Sequence, residues 1–307
     1  MSKRSGGDRL AAGEPITHAG KIMFTGSAKS LTAAAEPSSG MITKADVVNY
    51  YRAVSSAMLR QLRNRPLIFQ RFPEGTGNPG FFQREIPRDA PDWMERVRYG
   101  KEVPKNYIIT KSTRSLLWLA NRDVIELHQT TVRYPDLTHP DQLVFDLDPG
   151  EGGFPEAVST ALLLHQYLTE IGLPSFAKTS GGRGVHVVCP IVPVHPPEKV
   201  TQWARNFIRS FLLRHPGSGT LEMRKDKRRN QLYIDLYRNH AGQATACAYS
   251  LRARPGAPVS MPVAWDGLAD LQEPSVFNLR SVPGLIGNND DPWSAYFESS
   301  GNPVGDS

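Results

Sequence analysis

Two short apolar runs with acids set inside them constrain this chain more than anything else in its sequence. Leu143-Val144-Phe145-Asp146-Leu147-Asp148 and Leu232-Tyr233-Ile234-Asp235-Leu236-Tyr237 both read as strands, and each carries aspartate among large apolar neighbours. A carboxylate in that setting is expensive to bury without a partner. Side chains alternate along a strand, so Asp146 and Asp148 point to one face, about 6.6 Å apart along the backbone. Two carboxylates so close repel unless a proton or a cation intervenes, and a divalent ion with hard oxygen ligands is the natural solution. Asp235 repeats the setting, which suggests that the three acids share one site. Carboxylate triads of this kind hold two magnesium or manganese ions roughly 4 Å apart for in-line displacement at phosphorus.

The 307 residues are at or just above the size where a single core stops growing, so one large domain or two intimately packed lobes is expected. No stretch approaches the roughly 18 apolar residues of a membrane span. The start, MSKRSGGDRLAAGEP, has charge without an apolar segment behind it, so a cytoplasmic protein is expected. Cys189 and Cys247 are the only thiols, too few for a disulfide framework or a four-ligand zinc site. Thirty-six basic against thirty acidic residues favour a polyanionic partner, and the run Arg224, Lys225, Lys227, Arg228, Arg229 concentrates that charge before the Asp235 strand.

Residues 1–15 read as a loose tail, 26–40 as a surface insertion and 296–307 as a second tail, leaving a body over 16–295. Thr43 and Asp46 form a capping box ahead of a helix that ends before Pro66, with Val47, Tyr51, Val54 and Met58 at helical spacing. GNPGFFQREIPRDAPDW reads as a Pro-interrupted loop displaying Phe81 and Phe82, adjacent residues that face opposite sides of an extended chain. ACAYSLRARPG reads as one more strand, with Arg252 and Arg254 on one of its faces. Strands and helices alternate irregularly, so an α+β fold with mixed or antiparallel central sheets flanked by helices fits better than a parallel one.

Lys178-Thr179-Ser180-Gly181-Gly182-Arg183-Gly184-Val185-His186 forms a glycine turn between two strands. Glycines let backbone N–H groups approach a phosphate, the Ser180 hydroxyl can donate to it, and His186 can add a hydrogen bond. The spacing is not that of a Walker P-loop. Arg252 and Arg254 could neutralise a triphosphate.

FDLDPGEG, KTSGGRGVHV, YIDLYRN and YSLRARPGAPVS, in that order, resemble the polymerase domain of bacterial DNA ligase D, of the archaeo-eukaryotic primase superfamily. The resemblance runs from about residue 16 to 295. It implies that Asp146, Asp148 and Asp235 are the catalytic, metal-binding acids, and that two Mg2+ or Mn2+ ions serve as cofactors. It further implies that Ser180, His186 and Arg252 bind a nucleoside triphosphate, helped by Lys178 and Arg254, and that His128 of Glu126-Leu127-His128 contacts the incoming nucleotide. Lys21 and Lys44 resemble the family's ligands for a DNA 5'-phosphate, and Phe81 and Phe82 its template-stacking pair. The implied activity is templated, and partly template-independent, nucleotide addition at DNA ends and gaps in non-homologous end joining. Ribonucleotides and 5'-phosphorylated gaps would be preferred, with bacterial Ku and a ligase as partners.

The chain departs from the family pattern at 26–40 and at Gln129-Thr130, which follow Glu126-Leu127-His128 where relatives usually have Pro-Trp. The 307 residues hold neither a K-x-D-G ligase motif nor a nuclease module, which fits either an excised domain or a stand-alone polymerase. Two other classes compete. A haloacid dehalogenase-type phosphohydrolase also begins with D-x-D, and Asp290-Asp291 could mimic its later acids. A non-catalytic DNA-end-binding module would not need the acid triad.

Overall fold

Strands β1 (Ile22–Phe24) and β2 (Ile42–Thr43) pair antiparallel, and Thr43 then caps α1 (Lys44–Leu62). The capping box closes as expected: Asp46 N donates to Thr43 Oγ1 at 3.3 Å and Thr43 N to Asp46 Oδ2 at 2.7 Å. The chain continues through β3 (Pro66–Arg71), β4 (Phe81–Gln83), β5 (Arg96–Tyr99), β6 (Lys105–Ile109), α2 (Thr113–Asn121) and β7 (Val124–Gln129). A ribbon of β8 (Val132–Arg133) and β9 (Asp136–Pro140) leads into β10 (Gln142–Asp148) and α3 (Gly153–Glu170). The second half holds β11 (Phe176–Thr179), β12 (Val185–Pro190), α4 (Pro197–Arg214), β13 (Tyr233–Asp235), β14 (Thr245–Ala246) and β15 (Pro262–Val263). Three short helices follow: α5 (Trp265–Ala269), α6 (Val282–Ile286) and α7 (Ser294–Glu298). This computed structural model describes residues 15–25, 40–100, 102–286, 291–299, 301–302 and 304. The expected tail at 1–15 and insertion at 26–40 therefore lie outside the described residues, apart from Pro15 and Gly40.

Besides the β1–β2 and β8–β9 ribbons, two larger antiparallel sheets result, as the irregular alternation predicted. One runs β13-β10-β12-β11-β15, the other β14-β7-β3-β6-β5 with β4 on β3. The apolar face of α3, with Phe154, Ala157, Ala161 and Leu164, lies over the first sheet. Phe207 of α4 meets both Phe145 of β10 and Tyr167 of α3. Helix α1 joins the sheets: Tyr51 Oη donates to Ile125 O and accepts from Leu251 N at 3.2 Å, and Tyr50 Oη donates to Tyr249 O at 2.8 Å. Among the described residues no helix is long and apolar enough to cross a membrane.

Three expectations need correction. The segment 246–256 is not a strand beyond β14. It crosses between the sheets, with Cys247 N bonded to Leu127 O on one side and Ser260 N to Ser250 O on the other. Tyr249 takes a φ of 65° at the crossing. Phe81 and Phe82 sit on the short strand β4, not in a loop, and both stay exposed because β4 has β3 as its one strand neighbour. The C-terminal residues are no tail at 296: Trp293 and Tyr296 pack on Val144 and Val188 beneath the first sheet, and Val304 is buried.

Candidate active site

Register assembles the acids. Strand β10 pairs with β13 so that Asp146 faces Asp235, and with β12 so that Asp146 faces His186. Asp148 follows two residues on, on the same face of β10. One carboxylate oxygen from each of Asp146, Asp148 and Asp235 lies within 4.8 Å of the others. Asp146 and Asp235 are buried, and Asp148 opens to solvent. Convergence of these three acids from two strands is the arrangement expected from the sequence.

Electrostatics separates the acids. Burial, then the charges of Asp146 and Asp235, push the Asp148 carboxyl up to about 6. Asp235 is raised as well, chiefly by burial. Burial acts on Asp146 in the same sense but is outweighed by His186 and Arg238, which hold it well below the usual carboxylate range. Arg238 Nε stands 3.6 Å from Asp146 Oδ2 and 3.6 Å from Asp235 Oδ2. A single guanidinium thus offsets part of a three-carboxylate charge, and Asp146 Oδ1, fully enclosed, has no aligned hydrogen-bond donor. That donor set, hard oxygens with excess negative charge, fits divalent cations.

Behind the acids lies a buried relay. His186 Nε2 is 3.2 Å from Asp146 Oδ1, while Nδ1 meets Lys178 Nζ at 2.7 Å and Thr245 Oγ1 at 3.1 Å. Burial drives the His186 imidazole down to about 4 and the Lys178 ammonium down to about 7. The consistent tautomer is a neutral ring that accepts at Nδ1 and carries its proton on Nε2, toward Asp146. Lys178 is buried, also donates to Ser260 Oγ at 2.7 Å, and lines neither of the clefts described below.

The glycine turn curls around Ser180, whose Oγ accepts from Gly182 N at 3.2 Å and Gly184 N at 3.1 Å. Its hydroxyl proton remains available to an anion. Gly181, at φ 69°, and Gly184 have no room for a side chain. A Cβ would lie 2.4 Å from Arg252 Cγ at the first and 2.4 Å from Leu147 O at the second.

Two clefts flank the acids. One, of about 510 Å³, is lined by Asp148, Ser180, Gly184 and the cations Arg183, Lys225, Arg228 and Arg254. The other, of about 290 Å³, is lined by Asp146, His186, His128, Phe82, Arg238 and Arg252. Arg252 and Arg254 therefore face different clefts and do not form a pair on one strand face, because their segment turns, with Arg254 N bonded to Arg252 O. Phe82 meets the edge of the His128 ring at 5.5 Å between centroids, and Phe81 lies under Arg71.

Sequence reasoning missed Glu126 and Arg238 as site residues, and read Arg228 only as one member of a basic run. Glu126, buried, accepts from Arg252 Nε at 3.0 Å, Ala253 N at 2.8 Å and His128 Nε2 at 2.9 Å. It thereby fixes two candidate nucleotide ligands at once. Burial alone would raise its carboxyl, but His128 and Arg252 bring it down to about 2. Arg228 lies over the Tyr233 ring at 3.9 Å, and Tyr233 Oη donates to Asp235 Oδ1 at 3.3 Å. Arg238 had a readable signal, a cation three residues after the acid, where a turn of 3-10 helix over Tyr237–Asn239 brings it back.

Lys21 and Lys44 are together, but not on an open surface. Lys44 is buried, and both ammoniums contact Asp123. Asp291 is engaged elsewhere, 3.0 Å from Arg60 Nη1, and Asp290 lies outside the described residues. The haloacid dehalogenase reading thus loses its second acid site: among the described residues the metal-competent cluster is Asp146, Asp148 and Asp235.

The chain is 30% identical over 306 residues to the multifunctional non-homologous end joining protein LigD of Pseudomonas aeruginosa, covering 94% of this chain and 36% of that protein. To LigD of Mycolicibacterium smegmatis it is 30% identical, covering 78% of this chain and 31% of the relative. It thus spans about a third of the length of these relatives. The polymerase domain of Mycobacterium tuberculosis ligase D, solved in complex with DNA, superposes with a TM-score of 0.80 at 28% identity. That match covers 92% of this chain and 97% of the domain. Residues 43–293 match the model of the LigD primase-polymerase domain, and the chain belongs to that family.

Proposed function

We propose that this chain adds nucleotides to the 3' end of DNA at gaps and broken ends, as the polymerase component of non-homologous end joining. The observation that carries the reading is the convergence of Asp146, Asp148 and Asp235 between two clefts rich in cations. Asp146, Asp148 and Asp235 would hold two Mg2+ or Mn2+ ions, which when bound supply Lewis acidity and lower the pKa of a primer hydroxyl. The chain's own groups do the rest. Ser180, through its hydroxyl, Arg183 and Arg254 line the cleft suited to a triphosphate. Arg252 and His128, both fixed by Glu126, line the adjoining cleft where Phe82 offers a flat face to a base. His186 stands with Nε2 3.2 Å from Asp146, behind the acids, while Lys178 holds the ring from the other side. Arg238 partly neutralises the acids.

Lys21 and Lys44 would take the 5'-phosphate on the far side of a gap. A ribonucleotide preference, and bacterial Ku and a ligase as partners, follow from the family resemblance. Primer extension on a gapped duplex with manganese tests the core of the proposal. Asp146→Ala and Asp235→Ala should abolish extension while leaving DNA binding within about two-fold of wild type, since the acids contribute no attraction for phosphate. A variant extending at near the wild-type rate defeats the assignment. A wild-type protein that binds ends without extending them is the non-catalytic module.

A further inference from the structure

Asp123 sits where Lys21 and Lys44 meet. Its Oδ1 is 2.8 Å from Lys21 Nζ and 3.2 Å from Lys44 Nζ. The residue occupies the turn from α2 into β7 at a φ of 65°, a conformation free of cost for glycine alone. Its backbone is tied on both sides, N to Ala120 O and O to Phe72 N, so the carboxylate is planted between the lysines. Lys44 is 3% exposed and its ammonium is further engaged by Thr17 Oγ1 at 3.0 Å. The neighbouring cation Arg122 is paired with Asp89. A phosphate could not touch Lys44 in this arrangement without drawing it away from Asp123.

We propose that Asp123 is an internal anion that competes with DNA phosphates for Lys21 and Lys44 and so sets a charge threshold for binding there. The proposal rests on the reading of those two lysines as a phosphate site. Among these three groups two ammoniums share one carboxylate, leaving one net positive charge, with Arg71 and Arg122 close by. An internal phosphodiester carries about one negative charge, no more than Asp123 already supplies, so exchanging one for the other gains little. A terminal monoester carries about two negative charges above a pKa near 6, with three acceptor oxygens, and gains from the exchange. Asp123 thereby weakens the lysine site for every phosphate and keeps it off backbone phosphates, while a terminal monoester still gains enough to displace it.

The test compares wild type with Asp123→Asn by fluorescence anisotropy on three DNAs: a gap ending in 5'-phosphate, the same gap ending in 5'-hydroxyl, and an intact duplex. Removing one unit charge a few ångströms from the site should tighten binding to the hydroxyl gap and the intact duplex about five-fold. The 5'-phosphate gap should tighten at least as much. The dependence of log affinity on log salt should steepen by about one phosphate's worth on the intact duplex, a change that a merely structural residue would not cause. Unchanged affinities, or weaker binding to the 5'-phosphate gap, overturn the proposal; the latter would make Asp123 a scaffold for the lysines. Asp123→Gly suits the backbone at this position and carries the test if Asp123→Asn does not fold. Lys21→Ala separates the two levels: equal loss on phosphate and hydroxyl gaps sinks the phosphate site itself. Loss on the phosphate gap alone, with Asp123→Asn silent, sinks the threshold alone.

Discussion

Glu126 is the residue whose removal most directly tests how the nucleotide-side cleft is held. Glu126→Gln keeps the shape of the side chain and removes its charge. The carboxylate satisfies Arg252, His128 and the Ala253 amide together, whereas an amide offers one acceptor oxygen and turns its NH2 toward donors. The folded-state value of about 2 against an ordinary 4.5 gives the magnitude. A depression of that size corresponds to about 3 kcal/mol of stability at neutral pH, at about 1.4 kcal/mol per unit. The sign follows from the direction: the contribution is complete above the unfolded value and is lost as pH falls toward the folded one. Urea unfolding should therefore place Glu126→Gln about 3 kcal/mol below wild type at pH 7, with the gap shrinking to about 2 kcal/mol at pH 3.5. Nucleotide affinity should fall as well, because Arg252 and His128 lose their common anchor. A gap below about 1 kcal/mol at pH 7, or one that does not narrow in acid, refutes the reasoning.

Three further variants have expected outcomes. Gly184→Ala forces a Cβ against Leu147 O, a backbone atom that cannot swing aside. It should cost about 1–3 kcal/mol in thermal or urea unfolding and raise the KM for nucleotide more than that for DNA. Lys21→Ala should weaken binding to a 5'-phosphorylated gap without changing binding to a 5'-hydroxyl gap. Lys44→Ala should do the same and also lower the melting temperature, since Lys44 is buried between Asp123 and Thr17 while Lys21 is partly exposed.

Much of the site was legible because its parts are local. Asp146 and Asp148 share a face by strand periodicity alone, the Thr43 capping box needs four consecutive residues, and the Ser180 turn is spelled by its glycines. The apolar surroundings of Asp235 signalled a buried acid needing company. The ordered motifs carried the family resemblance over most of the chain.

What the sequence determined by itself, then, was the chemistry on offer: three hard oxygen donors, a phosphate-sized turn, cations in excess and an α+β alternation. Tertiary structure alone decided which of these groups meet. The register of β10 against β13 set Asp146 opposite Asp235. The crossing of 246–256 between sheets sent Arg252 and Arg254 to separate clefts, and burial set Lys178 against His186. Asp123 lies far from Lys21 and Lys44 in the chain, and no local pattern marks it as their counterion. The physical reason is common to all of these. Periodicity and capping act over a few residues, whereas charge pairing and desolvation depend on distances that exist only once the sheets have packed.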